Sequence, residues 1–236
     1  MTSRFTTPPS DWHDLADAQA RRLRDPGFHR HCHHGELIFR KHDPVDGPTV
    51  ILSGAAYFFV DDPSKPRGED LVQLRWGGEI LLYSLVPGKW PESLRSIGNT
   101  TLGVVPFADY LDLQQTDPVL SQRVLPALVN QVLRDHDRLR LQRGLVVDRM
   151  AALLEHLAAY TGKQVEDGYL LDYPMRLSDW ATLVRAHPVE CSRALTALRE
   201  RGFVAKRPRF RLVVRGFEVV RPQPSPAELA VIQGLC

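Results

Sequence analysis

The 236-residue chain carries a formal net charge of +2, with 43% hydrophobic and 25% charged residues, an ordinary composition for a globular protein. No apolar run approaches the roughly 20 residues of a membrane-spanning helix, and the N-terminus lacks the apolar stretch of a signal peptide. The three cysteines, Cys32, Cys191 and Cys236, are scattered, which favours a reducing compartment over a disulfide framework. We therefore expect a cytoplasmic protein with no membrane partner.

The small net charge conceals a basic C-terminal segment. Between Arg176 and Arg221 there are eleven Lys/Arg residues against four Asp/Glu, a net charge of +7, so the remainder of the chain sums to −5. Charge segregated in this way favours a nucleic acid as the partner of that segment. The alternative is a solvated basic surface without a partner.

In chain order, the first predicted element is a helix over Ser10–Arg24, with Ser10 as its N-cap. Turns rich in Gly and Pro then separate a series of β-rich runs, a pattern typical of an antiparallel β-roll. These runs are ELIFRK, TVILSGAAYFFV, LVQLRW, EILLYSL, SLRSI and TTLGVVP. The sequence therefore predicts that residues 1–116 form an N-terminal helix and a sensor-like β-roll.

The next tract, residues 117–146, has helical periodicity and begins at an Asp-Pro pair that suits the N-cap and first helical position. Leu128, Val132 and Leu139 fall on one narrow, heptad-like seam. Because such a seam suits the packing of one helix against another, we interpret this tract as a dimerisation helix. The alternative is an amphipathic helix packed on its own roll.

Residues 147–236 are predicted to form a winged helix-turn-helix, which makes the whole chain an α+β protein. A helix capped by Asp148 precedes the helices RLSDWATLVRA and PVECSRALTALRERG, which a tight turn at Ala186-His187 separates. Two strands around a basic turn, FVAKRPRFRLVV, supply the wing. A capping box from Ser225 to Glu228 predicts a short closing helix.

The second helix of a helix-turn-helix enters the major groove of DNA, where its N-terminal residues reach base edges. Pro188 suits the first position of this helix, and its predicted outer face carries Val189, Ser192, Arg193 and Thr196. We expect Arg193 to pair bidentately with a guanine. The alternatives are a phosphate contact or a surface salt bridge.

The predicted wing carries four cations that suit phosphates or the minor groove. They are Lys206, Arg207, Arg209 and Arg211. Ordinary solvation is the alternative for these side chains.

The segment MRLSDWATLVRAHPVECSRALTALRERGFV resembles the helix-turn-helix of the Crp/Fnr superfamily of bacterial transcription regulators. GELIFRKHDPVDGPTVILSGAAYFF resembles the opening strands of that family's cyclic-nucleotide-binding-like roll. The order of the parts also matches, and the resemblance runs from about Gly35 to Val214. It implies a homodimeric regulator, not an enzyme, whose partners are double-stranded DNA, a second copy of the chain and RNA polymerase.

The recognition helix departs from the family pattern, which commonly opens with a Ser-Arg-Glu triplet and continues to a second Arg. Here the triplet is His187-Pro188-Val189, and only the later arginine, Arg193, is kept. The usual target sequence of the family is therefore not expected. Val189 is a candidate contact to a thymine methyl, and His187 a candidate contact to a phosphate.

Cyclic-nucleotide binders of this family use a Gly-Glu pair for the ribose and an Arg-Ser pair for the phosphate, since a buried phosphate needs an Arg and N–H donors. The chain has Gly78-Glu79, but the Arg-Ser position falls on Trp90-Pro91, and Arg95-Ser96 comes too late in the strand. We therefore do not expect cyclic nucleotides to bind. The four-cysteine iron–sulfur pattern of other members is also absent from the sequence.

The stretch HRHCHHGE gathers imidazoles and a thiol that suit zinc, copper or haem iron, so a metal- or haem-dependent sensor is the alternative function. The candidate ligands are His29, His31, Cys32, His33 and His34. A solvated polar turn without a cofactor is the simpler interpretation.

Two further alternatives concern the same stretch. The first is thiol redox sensing at Cys32 or Cys191, although we expect Cys191 to pack as a small buried hydrophobe. The second is a cupin-type metalloenzyme that uses His31, His33 and Glu36 as metal ligands. That enzyme would need a second His motif, which the later strands lack.

Overall fold

The structure, a computed structural model, describes residues 29–65, 67–116, 129, 132, 143–208 and 211–216, apart from the side chains at 113 and 114. Several predicted features lie outside these residues: the helix Ser10–Arg24, the seam positions Leu128 and Leu139, the wing residue Arg209 and the closing helix at Ser225. Within the described part of the chain, no helix has the length and apolar character needed to cross a membrane.

Six antiparallel strands form the N-terminal roll. They are β1 His29–Cys32, β2 Leu37–Phe39, β3 Thr49–Asp61, β4 Glu69–Trp76, β5 Glu79–Ile80 and β6 Ser93–Val104. β3 and β6 lie side by side at the centre, with β1 and β2 paired to β6, and β4 and β5 paired to β3. The predicted roll is confirmed, and over the described residues its sheet stays open.

Two of the predicted strand boundaries are wrong. EILLYSL pairs only at Glu79–Ile80 and then forms a 3-10 helix at Leu82–Leu85, where the Ser84 hydroxyl donates to the Leu81 carbonyl at 2.6 Å. SLRSI and TTLGVVP form the single strand β6, because Gly98, at φ +69°, carries the chain through a bulge.

The long strand β3 is buried on both faces. Its successive side chains point to opposite sides and therefore enter two different cores. Phe58 packs inside the roll with Trp90 and Leu94. Tyr57 and Phe59 belong to a second core that the roll shares with the C-terminal helices. The continuous apolar run AAYFFV follows from this double burial.

The C-terminal part contains the predicted helix-turn-helix and wing. Its helices are α2 Val146–Thr161, α3 Leu177–Val184 and α4 Pro188–Glu200, after α1 Phe107–Thr116 at the end of the roll. Its strands are β7 Lys163–Val165, β8 Gly168–Leu171, β9 Val204–Lys206 and β10 Leu212–Val214, in the order β7-β8-β10-β9. The wing hairpin β9–β10 was predicted, whereas β7 and β8 were not.

The predicted capping role of Asp148 is wrong. α2 begins at Val146 with Leu145 as its N-cap, so Asp148 lies within the first turn. Its carboxylate is still near the positive end of the helix dipole, where an acid is favourable.

Candidate nucleic-acid interface

The start of the recognition helix α4 is fixed by a reciprocal capping box. The Nδ1 atom of His187 accepts the Val189 backbone N–H at 3.3 Å, and the Glu190 carboxylate accepts the His187 backbone N–H at 3.1 Å. Pro188 occupies the first helical position, where its missing N–H costs nothing. His187, predicted as a phosphate contact, is therefore the N-cap of the helix.

The two faces of α4 separate as the sequence predicts. Cys191, Ala194 and Leu198 are buried, whereas Ser192 is exposed and Val189 is 50% exposed. Burial raises the pKa of the Cys191 thiol to about 11, so the unreactive thiol form dominates at neutral pH. This environment disfavours redox sensing at Cys191.

Arg193 is exposed on the outer face of α4 and makes no hydrogen bond or ion pair with the described residues. Within the described part of the chain, no residue engages the donors of its guanidinium. Thr196, one turn further on, differs because its hydroxyl accepts a hydrogen bond from Arg199 at 2.9 Å. Val189, Ser192 and Arg193 are thus the outer-face positions that the structure leaves open near the start of the helix.

The wing cations are engaged with two aspartates that the sequence analysis did not single out. Arg207 donates to Asp167 at 2.9 Å, and Arg211 donates to Asp172 at 2.6 Å. Hydrogen bonds from basic side chains hold the pKa of both carboxyls below the usual range. The largest contribution comes from Arg215 at Asp167 and from Lys163 at Asp172. Lys206 is exposed at the end of β9.

The turn of the helix-turn-helix is tied to the roll. Arg185 ends α3 in the left-handed conformation, at φ +51°, and its guanidinium donates to the backbone carbonyls of Leu71 and Val72 in β4. Arg149 of α2 donates to the Val184 carbonyl at 2.7 Å. These contacts fix the residues that immediately precede the recognition helix.

The interior of the roll is a packed core of aliphatic side chains together with Phe58 and Trp90. Trp90 is 1% exposed and stacks on Phe39 with ring centroids 4.4 Å apart. Glu79 is buried, accepts the Trp76 backbone N–H at 3.2 Å and lies 3.8 Å from the Arg75 guanidinium. The predicted ribose acceptor therefore already has partners of its own.

Arg95 and Ser96, the other Arg-Ser pair of the roll, also have structural partners. Arg95 donates to Glu69 at 2.8 Å and to the Gly35 carbonyl at 2.7 Å. The Ser96 hydroxyl accepts the Glu36 backbone N–H at 3.1 Å. Both side chains are thus engaged with other residues of the roll.

The predicted metal ligands do not converge. Cys32 is buried in the roll, where burial raises the pKa of its thiol, and His31 is joined to Thr101 by a hydrogen bond of 3.1 Å. His34 lies instead against Tyr173. Among the described residues, no group of three or more His, Cys, Asp or Glu side chains is arranged to hold a metal ion.

The remaining members of that stretch are also spread apart. His29 and His31 have ring centroids 6.3 Å apart, and His33 is exposed. Glu36, the third ligand of the cupin alternative, accepts the His33 backbone N–H at 2.9 Å and pairs with Arg30 at 3.7 Å.

His34 contributes to the boundary between the roll and the winged helix. Its ring stacks on Tyr173 with centroids 4.8 Å apart, and its Nδ1 atom accepts the Gly98 backbone N–H at 3.1 Å. A Cβ at position 98 would lie 2.7 Å from the Tyr173 ring, so this close approach requires glycine. Burial lowers the pKa of His34; Arg67 lowers it further, while Asp179 and the Pro174 backbone oppose the shift.

Comparisons with known proteins identify the fold. No family model matches the chain, and no curated protein matches it. Among solved structures it is similar to TTHB099, a transcriptional regulator of the CRP family from Thermus thermophilus, with 16% identity, a TM-score of 0.64, and 87% of this chain and 96% of that chain covered.

Two further solved structures have a similar fold. FixK2 from Bradyrhizobium japonicum has 15% identity, a TM-score of 0.62 and coverage of 80% of this chain and 92% of that one. CLP from Xanthomonas campestris, described as a c-di-GMP responsive global regulator, has 21% identity, a TM-score of 0.60 and coverage of 85% and 99%. The chain therefore has a Crp/Fnr-like fold, as the sequence resemblance predicts.

The lowered pKa of His34 makes stability depend on pH. As the pH falls below about 6.5, the unfolded chain takes up this proton before the folded chain does, so the free energy of unfolding decreases until the pH reaches the lowered folded pKa. H34Q keeps an acceptor for Gly98 but does not titrate. Urea unfolding should show that the free energy of unfolding falls more for the wild type than for H34Q between about pH 8 and about pH 5.

The matched control is H33Q, since His33 is exposed. This variant should follow the wild-type pH profile. An equal loss of unfolding free energy in H34Q and the wild type would contradict a lowered pKa for His34 in the folded protein.

Proposed function

We propose that the chain is a sequence-specific DNA-binding transcription regulator that acts as a homodimer rather than an enzyme. The observation that carries this proposal is the open outer face of α4, where Arg193 is exposed and has no partner among the described residues. An unpaired guanidinium near the start of a recognition helix suits bidentate pairing with guanine. Val189, half exposed beside it, suits a thymine methyl.

The wing supplies sequence-independent contacts in this proposal. Lys206, Arg207 and Arg211 would bind phosphates and so fix the register of α4 in the groove. Because Arg207 and Arg211 are paired with aspartates in the free protein, each must exchange a carboxylate for a phosphate.

We further propose that the regulator works without cyclic AMP. The buried Trp90 indole occupies the interior of the roll, and the Glu79 carboxylate is held by Trp76 and Arg75. A phosphate there would need a buried arginine donor, and none of these contacts supplies a free one. RNA polymerase is the protein partner that such a regulator would contact.

Arg193→Ala should cost about 1–3 kcal/mol on the cognate duplex and relax the preference at one base pair in each half-site. The measurement is a titration of a duplex selected from a random pool and of a scrambled duplex. Arg201, at the far end of the same helix, provides the control variant R201A. If R193A weakens both duplexes equally, Arg193 is a phosphate contact, and base reading by Arg193 is wrong.

Assembly can be tested at Val132, which is 57% exposed on its helix and lies on the predicted seam with Leu128 and Leu139. Val132→Glu places a charge on this seam without disturbing a described core. Sedimentation should show a dimer for the wild type and a shift towards monomer for V132E, with weaker binding to a site of two half-sites about one helical turn apart. A wild-type monomer at micromolar concentration, with and without DNA, would contradict dimerisation.

The partners that Glu79 and Arg95 already have within the described part of the roll predict a calorimetric result. Cyclic AMP titrated into the protein should give no binding heat, and DNA affinity should be the same with and without the nucleotide. A micromolar dissociation constant would show that the phosphate position was assigned to the wrong residues.

A further inference from the structure

Two aspartates of the wing sheet each hold two cations. Asp167, in the turn between β7 and β8, binds Arg207 at 2.9 Å and also Arg215. Asp172, directly after β8, binds Arg211 at 2.6 Å and Lys163 at 2.7 Å. Much of the positive charge of the wing is thus neutralised within the domain.

The pair between Arg207 and Asp167 also determines where a wing side chain lies. Strand pairing puts Lys206 beside Leu212, and Leu212 beside Leu171, at the wing end of the sheet. Asp167 precedes β8 at the opposite end. The Arg207 side chain, which starts at the wing end, therefore reaches back along the sheet and away from the wing turn.

These ion pairs are accessible enough to exchange partners. The side chains of Asp167 and Asp172 are 31% and 30% exposed, and that of Arg207 is 48% exposed. Ion pairs at this exposure are weak and screened by salt, so a DNA phosphate competes with the carboxylate on similar terms.

We propose that Asp167 and Asp172 are intramolecular competitors of DNA phosphates that lower the affinity of the wing for non-cognate DNA. This proposal rests on the proposed DNA-binding function and concerns the affinity of that binding. Non-specific binding is almost entirely electrostatic, so neutralising the wing cations weakens it directly. A phosphate binds Arg207 or Arg211 only when it displaces an aspartate.

The exchange has a distinct thermodynamic signature. A cation that leaves an aspartate for a phosphate releases a counterion from DNA, while the exposed aspartate attracts one from solution. The two effects partly cancel, so the wild-type salt dependence is shallower than its number of phosphate contacts implies. Removing the aspartate charge removes this uptake of a counterion, so the salt dependence of DNA binding becomes steeper.

The test is titration of a random-sequence duplex across a salt series with the wild type, D167N and D172N. Each variant should bind roughly three- to ten-fold more tightly at low salt, and its plot of log K against log salt should steepen by about one unit. D70N is the matched control, because Asp70 pairs with Lys65 on the roll and its replacement changes the net charge equally. Thermal melts of all the variants would establish whether each is folded.

A coupled variant tests whether Arg207 is the cation that D167N releases, while D70N separates this release from a general charge effect. In D167N/R207Q the salt slope should return to the wild-type value. If D167N and D172N bind with the affinity and slope of D70N while the wild type binds DNA, the competitor role is wrong and the proposed function stands. If the wild type does not bind a selected duplex or a random one, both proposals fail.

Discussion

One buried carboxylate, that of Asp179, links the winged helix to a network of charged side chains on the roll. It accepts the Arg176 backbone N–H at 2.7 Å, which closes the first turn of α3, and it pairs with Arg67 of the roll. Arg67 lies 3.8 Å from Glu69, which in turn binds Arg95 at 2.8 Å. Two arginines and two carboxylates therefore alternate in a neutral chain. Removing one member would leave a charge unpaired at the boundary, so this network favours one docking orientation.

The orientation of the recognition helix follows from that docking. β4 of the roll ends at Trp76, whose indole belongs to the core shared with α2 and α3. The backbone carbonyls of Leu71 and Val72, also in β4, accept hydrogen bonds from the Arg185 guanidinium. Arg185 lies two residues before the N-cap of α4. A shift of β4 would therefore act on the start of α4 through adjacent contacts. In the proposed homodimer, such a shift would change the separation of the two recognition helices, which must match the spacing of the half-sites.

Local patterns in the sequence were sufficient to predict the order of the main elements and the faces of α4, although they missed β7 and β8. Pro188 and the period of Cys191, Ala194 and Leu198 specify a helix with one buried face, and the structure agrees. Long-range pairs were not predictable in this way. Asp167 and Arg207 are separated by 40 residues, and Arg67 and Asp179 by 112, so no local period marks them. Clustering in sequence was also misleading, since the side chains of HRHCHHGE diverge on the roll.

The filled roll and the partly neutralised wing have a common physical basis. Binding a phosphate inside the roll requires an arginine kept unpaired in a buried site, which is costly in the absence of the ligand. Glu79 and Arg75 lie 3.8 Å apart in the roll, and Trp90 packs against Phe39. On the wing the cations remain near solvent, where exchange between aspartate and phosphate costs little. The exchangeable charge of the wing therefore lies at the surface where DNA would bind, while the roll supplies a packed support for the recognition helix.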